Sequence, residues 1–295
     1  FKENTSEDLN WFFDTVLGSD KKADYKIKKY KNNKLLVKNK ANGAMPFPVT
    51  GLQDGNETYT KWYSGFEGKK WIDLPGKEVD KLYIDYYRNT LDIDGKNNYT
   101  RTNGLFRKLK PLSLNFVGPV EQPHRTQINF LPAMGYNYYN HYMLGMYFHS
   151  SYLPMDNFQY HLVPLYSFGT NNLAGSGVLS YTLYPEGSAL NSVMINLSGQ
   201  KYAFASNKGD YFDKIELGTV FNLKPRGERE RIQNKIHLNG IYATNISSIL
   251  ATPNNLDHKS FINLGYIHSN NENKNPYSGS LFFQYSDNFL KATVK

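Results

Sequence analysis

The chain has 295 residues (33.9 kDa), 34 Lys/Arg against 26 Asp/Glu, and a 15% aromatic share built from 24 Tyr and 18 Phe but only 3 Trp. That many aromatics at 20% charge exclude a disordered chain. Zero cysteine excludes disulfides, thiolate metal sites and Cys nucleophiles in this stretch. No apolar run nears the roughly 18 residues of a membrane-spanning helix, so any crossing must use strands. Tyr, Gly and Asn favour strands and tight turns, so the fold class is mainly β.

The chain opens FKENTSEDLNW, without Met, and is expected to be processed or cut there. Residues 5–18 predict a short helix. Thr5 or Ser6 can cap it, Glu7 and Asp8 suit its first turn, and Gly18 suits its end. Leu9, Phe12, Phe13, Val16 and Leu17 share one apolar face. Residues 1–22 therefore read as a docking helix at the end of an upstream domain.

Residues 23–95 read as a small immunoglobulin-like β-sandwich. Strands are expected at 24–31, 34–40, 46–52, 57–64, 69–74 and 80–87, separated by NN, ANG, DG, EG and PG turn signals. Tyr25, Ile27 and Lys29 alternate with Lys26 and Lys28. The lysines read as a solvated face rather than an anion site, because acids are interspersed among them. Residues 96–112 read as a linker.

Charge then nearly vanishes. Residues 1–110 carry 21 Lys/Arg and 15 Asp/Glu, whereas 111–200 carry only Glu121, Arg125, Asp156 and Glu186. A soluble surface runs at roughly a quarter to a third charged. Two readings fit: a strand-built wall facing lipid, or a large buried β-core. Alternation favours the wall. In 126–138 the even positions are Ile128, Phe130, Pro132, Met134, Tyr136 and Tyr138, and the odd positions are mostly small or polar. In 158–168, Phe158, Tyr160, Leu162, Pro164, Tyr166 and Phe168 share a face. In 212–223, Ile215, Leu217, Thr219, Phe221 and Leu223 oppose Lys214, Glu216, Gly218 and Asn222. Further strands are expected at 142–150, 174–184, 192–205, 235–244, 260–269 and 279–290. Segments of nine to twelve residues with aromatic ends match an antiparallel outer-membrane-type β-barrel over 113–295. About nine strands from 126 onward, or ten with 111–117, leave it incomplete, and more strands are expected to follow.

The sequence assigns no catalytic, cofactor-binding or metal-ligating residue. His124, His141, His149, His161, His237, His258 and His268 form no H-E-x-x-H and no i,i+4 pair, and no phosphate-binding or nucleophile-elbow pattern occurs. Asp92 and Asp94 in LDIDGKNN mimic the start of a calcium loop, but its later Glu is missing; a turn or linker is the simpler reading.

Several strings carry a family resemblance: DLNWFFD (8–14), DYKI (24–27), PFPVTGLQDG (46–55), TKWYSGFEGKKW (60–71), DYYRNTLDIDGKNN (85–98), TQINFLPAMGYNYYNHYMLGMYFH (126–149) and LVPLYSFGT (162–170). Together they resemble the post-catalytic region of M1-family (gluzincin) metallopeptidase-like proteins of Bacteroidota. The resemblance spans most of 8–185. It implies a zinc peptidase domain upstream of residue 1, so zinc belongs there and no cofactor to this chain. Asp94–Lys96 departs from the Asn-Arg-Arg of that family's linker.

The resulting expectation is a non-catalytic outer-membrane anchor and spacer for a cell-envelope M1-like peptidase or a degenerate relative. Its partners would be outer-membrane lipid and other envelope proteins, not nucleic acid. Its place would be the bacterial outer membrane, with the sandwich in the periplasm or at the cell surface. The alternative is a non-enzymatic barrel subunit of an outer-membrane assembly, export or uptake complex. A third reading is a soluble β-rich binding or adhesion protein.

Overall fold

The computed structural model describes residues 9–19, 21–118, 120–150, 156–185, 187–204, 211–227, 230–244, 258–271, 274–286 and 289–295. Thr5, Ser6, Glu7 and Asp8, the expected helix cap and first turn, lie outside them. The protein is mainly β with antiparallel sheets. It divides into two compact units: Phe1–Leu112 with Gln122–Thr126, and Ser113–Glu121 with Gln127–Lys295.

In the first unit the expected helix widens into a π-type turn at Phe12–Leu17. Five-residue hydrogen-bond spacing replaces the α-helical four. That phase sets Trp11 and Val16 against the unit's core and leaves Leu17, expected on the docking face, 65% exposed. Strands β1 (Tyr25–Lys31), β2 (Lys34–Asn39) and β5 (Lys69–Asp73) form one sheet, in the order β1-β2-β5. Strands β3 (Phe47–Gln53), β4 (Asn56–Tyr63), β6 (Lys81–Ile84) and β7 (Tyr99–Arg101) form a second, in the order β4-β3-β6-β7. Asn32–Asn33 and Asp54–Gly55 all take positive φ, the backbone that a two-residue hairpin turn requires.

The two sheets share one core. Tyr25, Ile27, Leu35 and Val37 from the first meet Phe47, Val49, Leu82 and Ile84 from the second. Tyr25 stacks on Phe47 with centroids 4.2 Å apart, and its hydroxyl donates to Met45 O at 2.8 Å, so burial leaves no polar atom of the ring stranded.

Three local expectations change. Strict alternation in β1 stops at a bulge between Ile27 and Lys29. The extra residue exposes Lys28 and Lys29 together and turns Tyr30 toward the core. The strand expected to run to Tyr87 ends at Ile84. Asp85 adopts φ 52°, and its carboxylate accepts the N–H groups of Asn89 (2.8 Å) and Thr90 (3.1 Å) and the Thr90 hydroxyl (2.6 Å). The stretch read as a linker, 96–112, carries β7, which pairs with β6.

Among the described residues the second unit is one eleven-stranded antiparallel meander. Its strands are β8 (Leu112–Phe116), β9 (Thr126–Asn137), β10 (His141–His149), β11 (Phe158–Ser167), β12 (Asn172–Leu183), β13 (Leu190–Ala203), β14 (Tyr211–Leu223), β15 (Ile232–Thr244), β16 (His258–Asn270), β17 (Tyr277–Ser286) and β18 (Phe289–Val294). Each strand pairs with its neighbours in sequence. The single strand expected at 279–290 is instead β17 and β18. Among the described residues no hydrogen bonds join β8 to β18, so the sheet is open where a closed barrel would have no edge.

Candidate functional site

Register sorts the side chains of this sheet onto two faces. Leu197 lies opposite Leu217, Thr219 opposite Leu238, Leu238 opposite Leu264, and Leu264 opposite Phe283. These belong to one apolar face, which also carries Met134, Tyr142, Leu144, Ile215 and Tyr285, all exposed. A soluble monomer rarely shows a contiguous apolar surface of this extent. Only two charged side chains of β9–β18 fall on it, Lys201 and Asp213. They are directly opposed at the ends of β13 and β14, 3.7 Å apart. Lys214, Glu216, Lys235, Lys259 and Lys291 all take the other face.

That second face holds the candidate site, a groove of about 440 Å³ across β13–β18. Asn196, Ser198, Asn239, Asn263, Gln284 and Thr293 give it amides and hydroxyls. Glu216 is clamped: Oε1 accepts from Asn239 Nδ2 at 2.6 Å and Oε2 meets Lys214 Nζ at 2.8 Å. Lys291 stands opposite Gln284. Phe282 lies over Gly265, where a Cβ would come within 2.3 Å of the ring, so this close approach requires glycine. His237 lines the groove with its ring centroid 6.5 Å from Phe282, and its Nε2 is buried without a hydrogen-bond partner among the described residues.

The remaining histidines scatter. His149 and His161 are cross-strand neighbours, and Tyr147 stacks on both rings with its hydroxyl 2.6 Å from His161 Nδ1. This pairing has no signature in sequence spacing, because His161 arrives from the next strand. His141 lies at the β9–β10 turn with φ 51°. His268 contacts Asn234 Oδ1 (2.7 Å) and Tyr277 OH (3.2 Å). The side chain of His258 lies outside the described residues. In the first unit His124 stacks on Tyr86 at 4.3 Å. Burial, then the nearby Lys110 and Arg88 charges, hold its pKa below the usual histidine value.

A second polar centre sits at one end of β10–β14. Asn140 is fully buried; its Nδ2 donates to Ser167 Oγ (3.0 Å), and its Oδ1 accepts from Ala203 N (2.9 Å) and Asn137 Nδ2 (3.0 Å). Thr170 Oγ1 donates to Ser167 Oγ (2.8 Å) and accepts from Tyr211 OH (2.8 Å). Every partner is a hydroxyl, an amide or backbone, so this centre holds strands together and offers no nucleophile–base pair.

The LDIDGKNN carboxylates tie β1 to the segment after β6. Asp92 Oδ2 accepts the Tyr25 N–H at 2.9 Å, and Oδ1 accepts the Asp94 N–H at 3.0 Å. Asp24 pairs with Lys40 at 2.6 Å and accepts from Asn97 at 2.8 Å. Among the described residues no three His, Asp or Glu side chains converge as a metal site. Burial, then repulsion from Asp24, push the Asp92 pKa from 3.8 up to about 6.

A raised carboxyl pKa means that the folded unit holds its proton more tightly than the unfolded chain. The stabilisation is complete below the unfolded value of 3.8 and is lost as pH rises through about 6. Roughly two pKa units correspond to on the order of 2–3 kcal/mol. All three tryptophans (Trp11, Trp62, Trp71) lie in the first unit, so their fluorescence follows its unfolding alone. Urea midpoints at pH 4.5 and 7 are expected to differ less in Asp92→Asn than in the parent chain. Equal pH dependence in both would remove Asp92 from the account.

Chemically, the groove offers hydrogen bonds, the paired charges of Glu216 and Lys214, and the Lys291 ammonium. Among the described residues it brings no two carboxylates together and sets no activated nucleophile beside a base. No protein-family model, curated protein or solved structure matches the chain.

Proposed function

We propose that this chain is a non-catalytic outer-membrane anchor. Residues 113–295 supply wall strands of an antiparallel transmembrane β-barrel, and the two sheets of the first unit form an immunoglobulin-like sandwich in the periplasm or at the cell surface. The observation that carries this reading is the sorting of charge. Five of seven charged strand residues take the groove face, and the other two are paired at strand ends. Lipid tolerates an apolar surface and penalises an unpaired charge, whereas a barrel lumen accepts polar groups. The resemblance of its strings to M1-like metallopeptidases of Bacteroidota supports a peptidase-like domain, active or degenerate, as the anchored body. Expressed in a Gram-negative host, the chain is expected in the outer-membrane fraction, resistant to carbonate washing and released by detergent. Recovery in the soluble periplasmic fraction would sink the proposal.

The open edges at β8 and β18 favour a second reading. Unpaired sheet edges do not persist in hydrocarbon, so other strands must meet them. If those strands belong to other polypeptides, the chain is a subunit of an outer-membrane assembly, export or uptake complex. Stoichiometric membrane partners in a mild-detergent purification would select this reading. A lone polypeptide would select the anchor.

A further inference from the structure

We propose that the loop Asn103–Leu109, between β7 and β8, is a membrane-interface contact. Leu105 and Phe106 enter the boundary between headgroups and acyl chains, and Arg107 and Lys108 meet anionic headgroups. The inference rests on the membrane reading above and adds a second, peripheral point of attachment that belongs to the first unit.

Three observations carry it. Leu105 is 93% exposed and Phe106 79%, side by side at the loop tip, with Leu109 also exposed. The presentation is built rather than slack. Gly104 turns the chain at φ 94°, Arg101 N donates to Arg107 O at 2.7 Å across the base, and Arg107 Nε donates to Gly104 O at 3.2 Å. Two buried side chains hold the base: Thr102 Oγ1 donates to Val79 O (2.8 Å), and Lys110 Nζ donates to Gly95 O (3.1 Å) and Pro123 O (2.6 Å). Along the chain the charge is of one sign. Between Asp94 and Glu121 there is no acid, and Arg107 and Lys108 directly follow the two apolar side chains.

An ordered loop that shows two large apolar side chains flanked by cations has the composition of an interfacial segment. Apolar groups anchor it, and basic groups respond to anionic lipid. Only Lys110 and Pro111 separate Leu109 from β8 along the chain.

The chain contains no cysteine, so single labelling sites need no background removed. The full chain would be refolded with phosphatidylcholine vesicles, with or without phosphatidylglycerol. An environment-sensitive fluorophore would sit at Leu105→Cys or, as the membrane control, at Leu217→Cys on the apolar face of β14. Both labels are expected to shift to the blue and to be quenched by spin-labelled lipid. The Leu105 signal should strengthen with phosphatidylglycerol. Arg107→Gln and Lys108→Gln are expected to cut that anionic-lipid effect about fivefold per charge removed. A shielded label at 217 with a water-exposed label at 105 would overturn this inference alone. Water-exposed labels at both sites would overturn the membrane reading with it. A label at 105 shielded only when another protein co-purifies would replace lipid with a protein partner.

Discussion

Leu217→Arg is expected to block assembly into a bilayer, while Gly218→Arg, one residue away, is tolerated. Leu217 is 57% exposed on the apolar face, with Leu197 opposite it on one side and Gly240 on the other. Arginine in that position near a bilayer midplane costs about 2–4 kcal/mol. Gly218 faces the groove, where an added Cβ meets only Asn239 Cβ at an ordinary 3.5 Å. Its arginine points into water beside Glu216, a residue already on that face. The readout is the fraction of refolded protein that resists protease in vesicles and migrates as a compact species without heating. Equal yields from the two variants would contradict the assignment of faces, and with it the anchor.

The second large effect belongs to Asn140. Truncation to alanine removes one donor and one doubly used acceptor from a site with no solvent. The Ala203 N–H and the Ser167 hydroxyl each lose a partner. A stranded buried polar group costs about 1–3 kcal/mol, so a loss of roughly 3–5 kcal/mol is expected. Thr170→Val keeps the shape and removes only the bonds to Ser167 and Tyr211, so it should cost about 1 kcal/mol per bond lost. Thermal loss of the sheet's circular dichroism should fall far more in Asn140→Ala than in Thr170→Val. The tryptophan-reported transition of the first unit should not move in either. A shift of both transitions together would mean that the two units unfold as one.

These two sites differ in how far the sequence announces them. Leu217 and Gly218 sit in a run whose period of two is plain, because one face is uniformly apolar and a one-residue slip would reverse every side chain. The same alternation located β9 through β16, and turn dipeptides located β1 through β5. Asn140 gives no such signal. It is one of two asparagines at a turn, and its partners at 167 and 203 are fixed only once three hairpins have set their registers. The groove was half visible: charge opposite the apolar face of β14 was legible, but the Glu216–Asn239 bond spans 23 residues of chain. β7 was missed because three residues hold no period. The break between β17 and β18 was missed because both halves are strand-like. The π-type turn has no sequence signature: an α-helical phase places Val16 on the packed face, where it lies, but sets Leu17 there and leaves out Trp11.

The pairing order of the second unit also says how such a sheet comes together. From β8 to β18 every ladder joins strands adjacent in sequence. The cost of closing each pair is therefore set by its own connection, as short as two residues between β17 and β18, and grows only slowly where connections lengthen. No ladder within β8–β18 has to wait for a distant strand to arrive. Mean sequence separation stays low for an all-β architecture, the condition under which chains fold quickly. Growth can proceed hairpin by hairpin, like a zipper, each finished strand serving as template for the next.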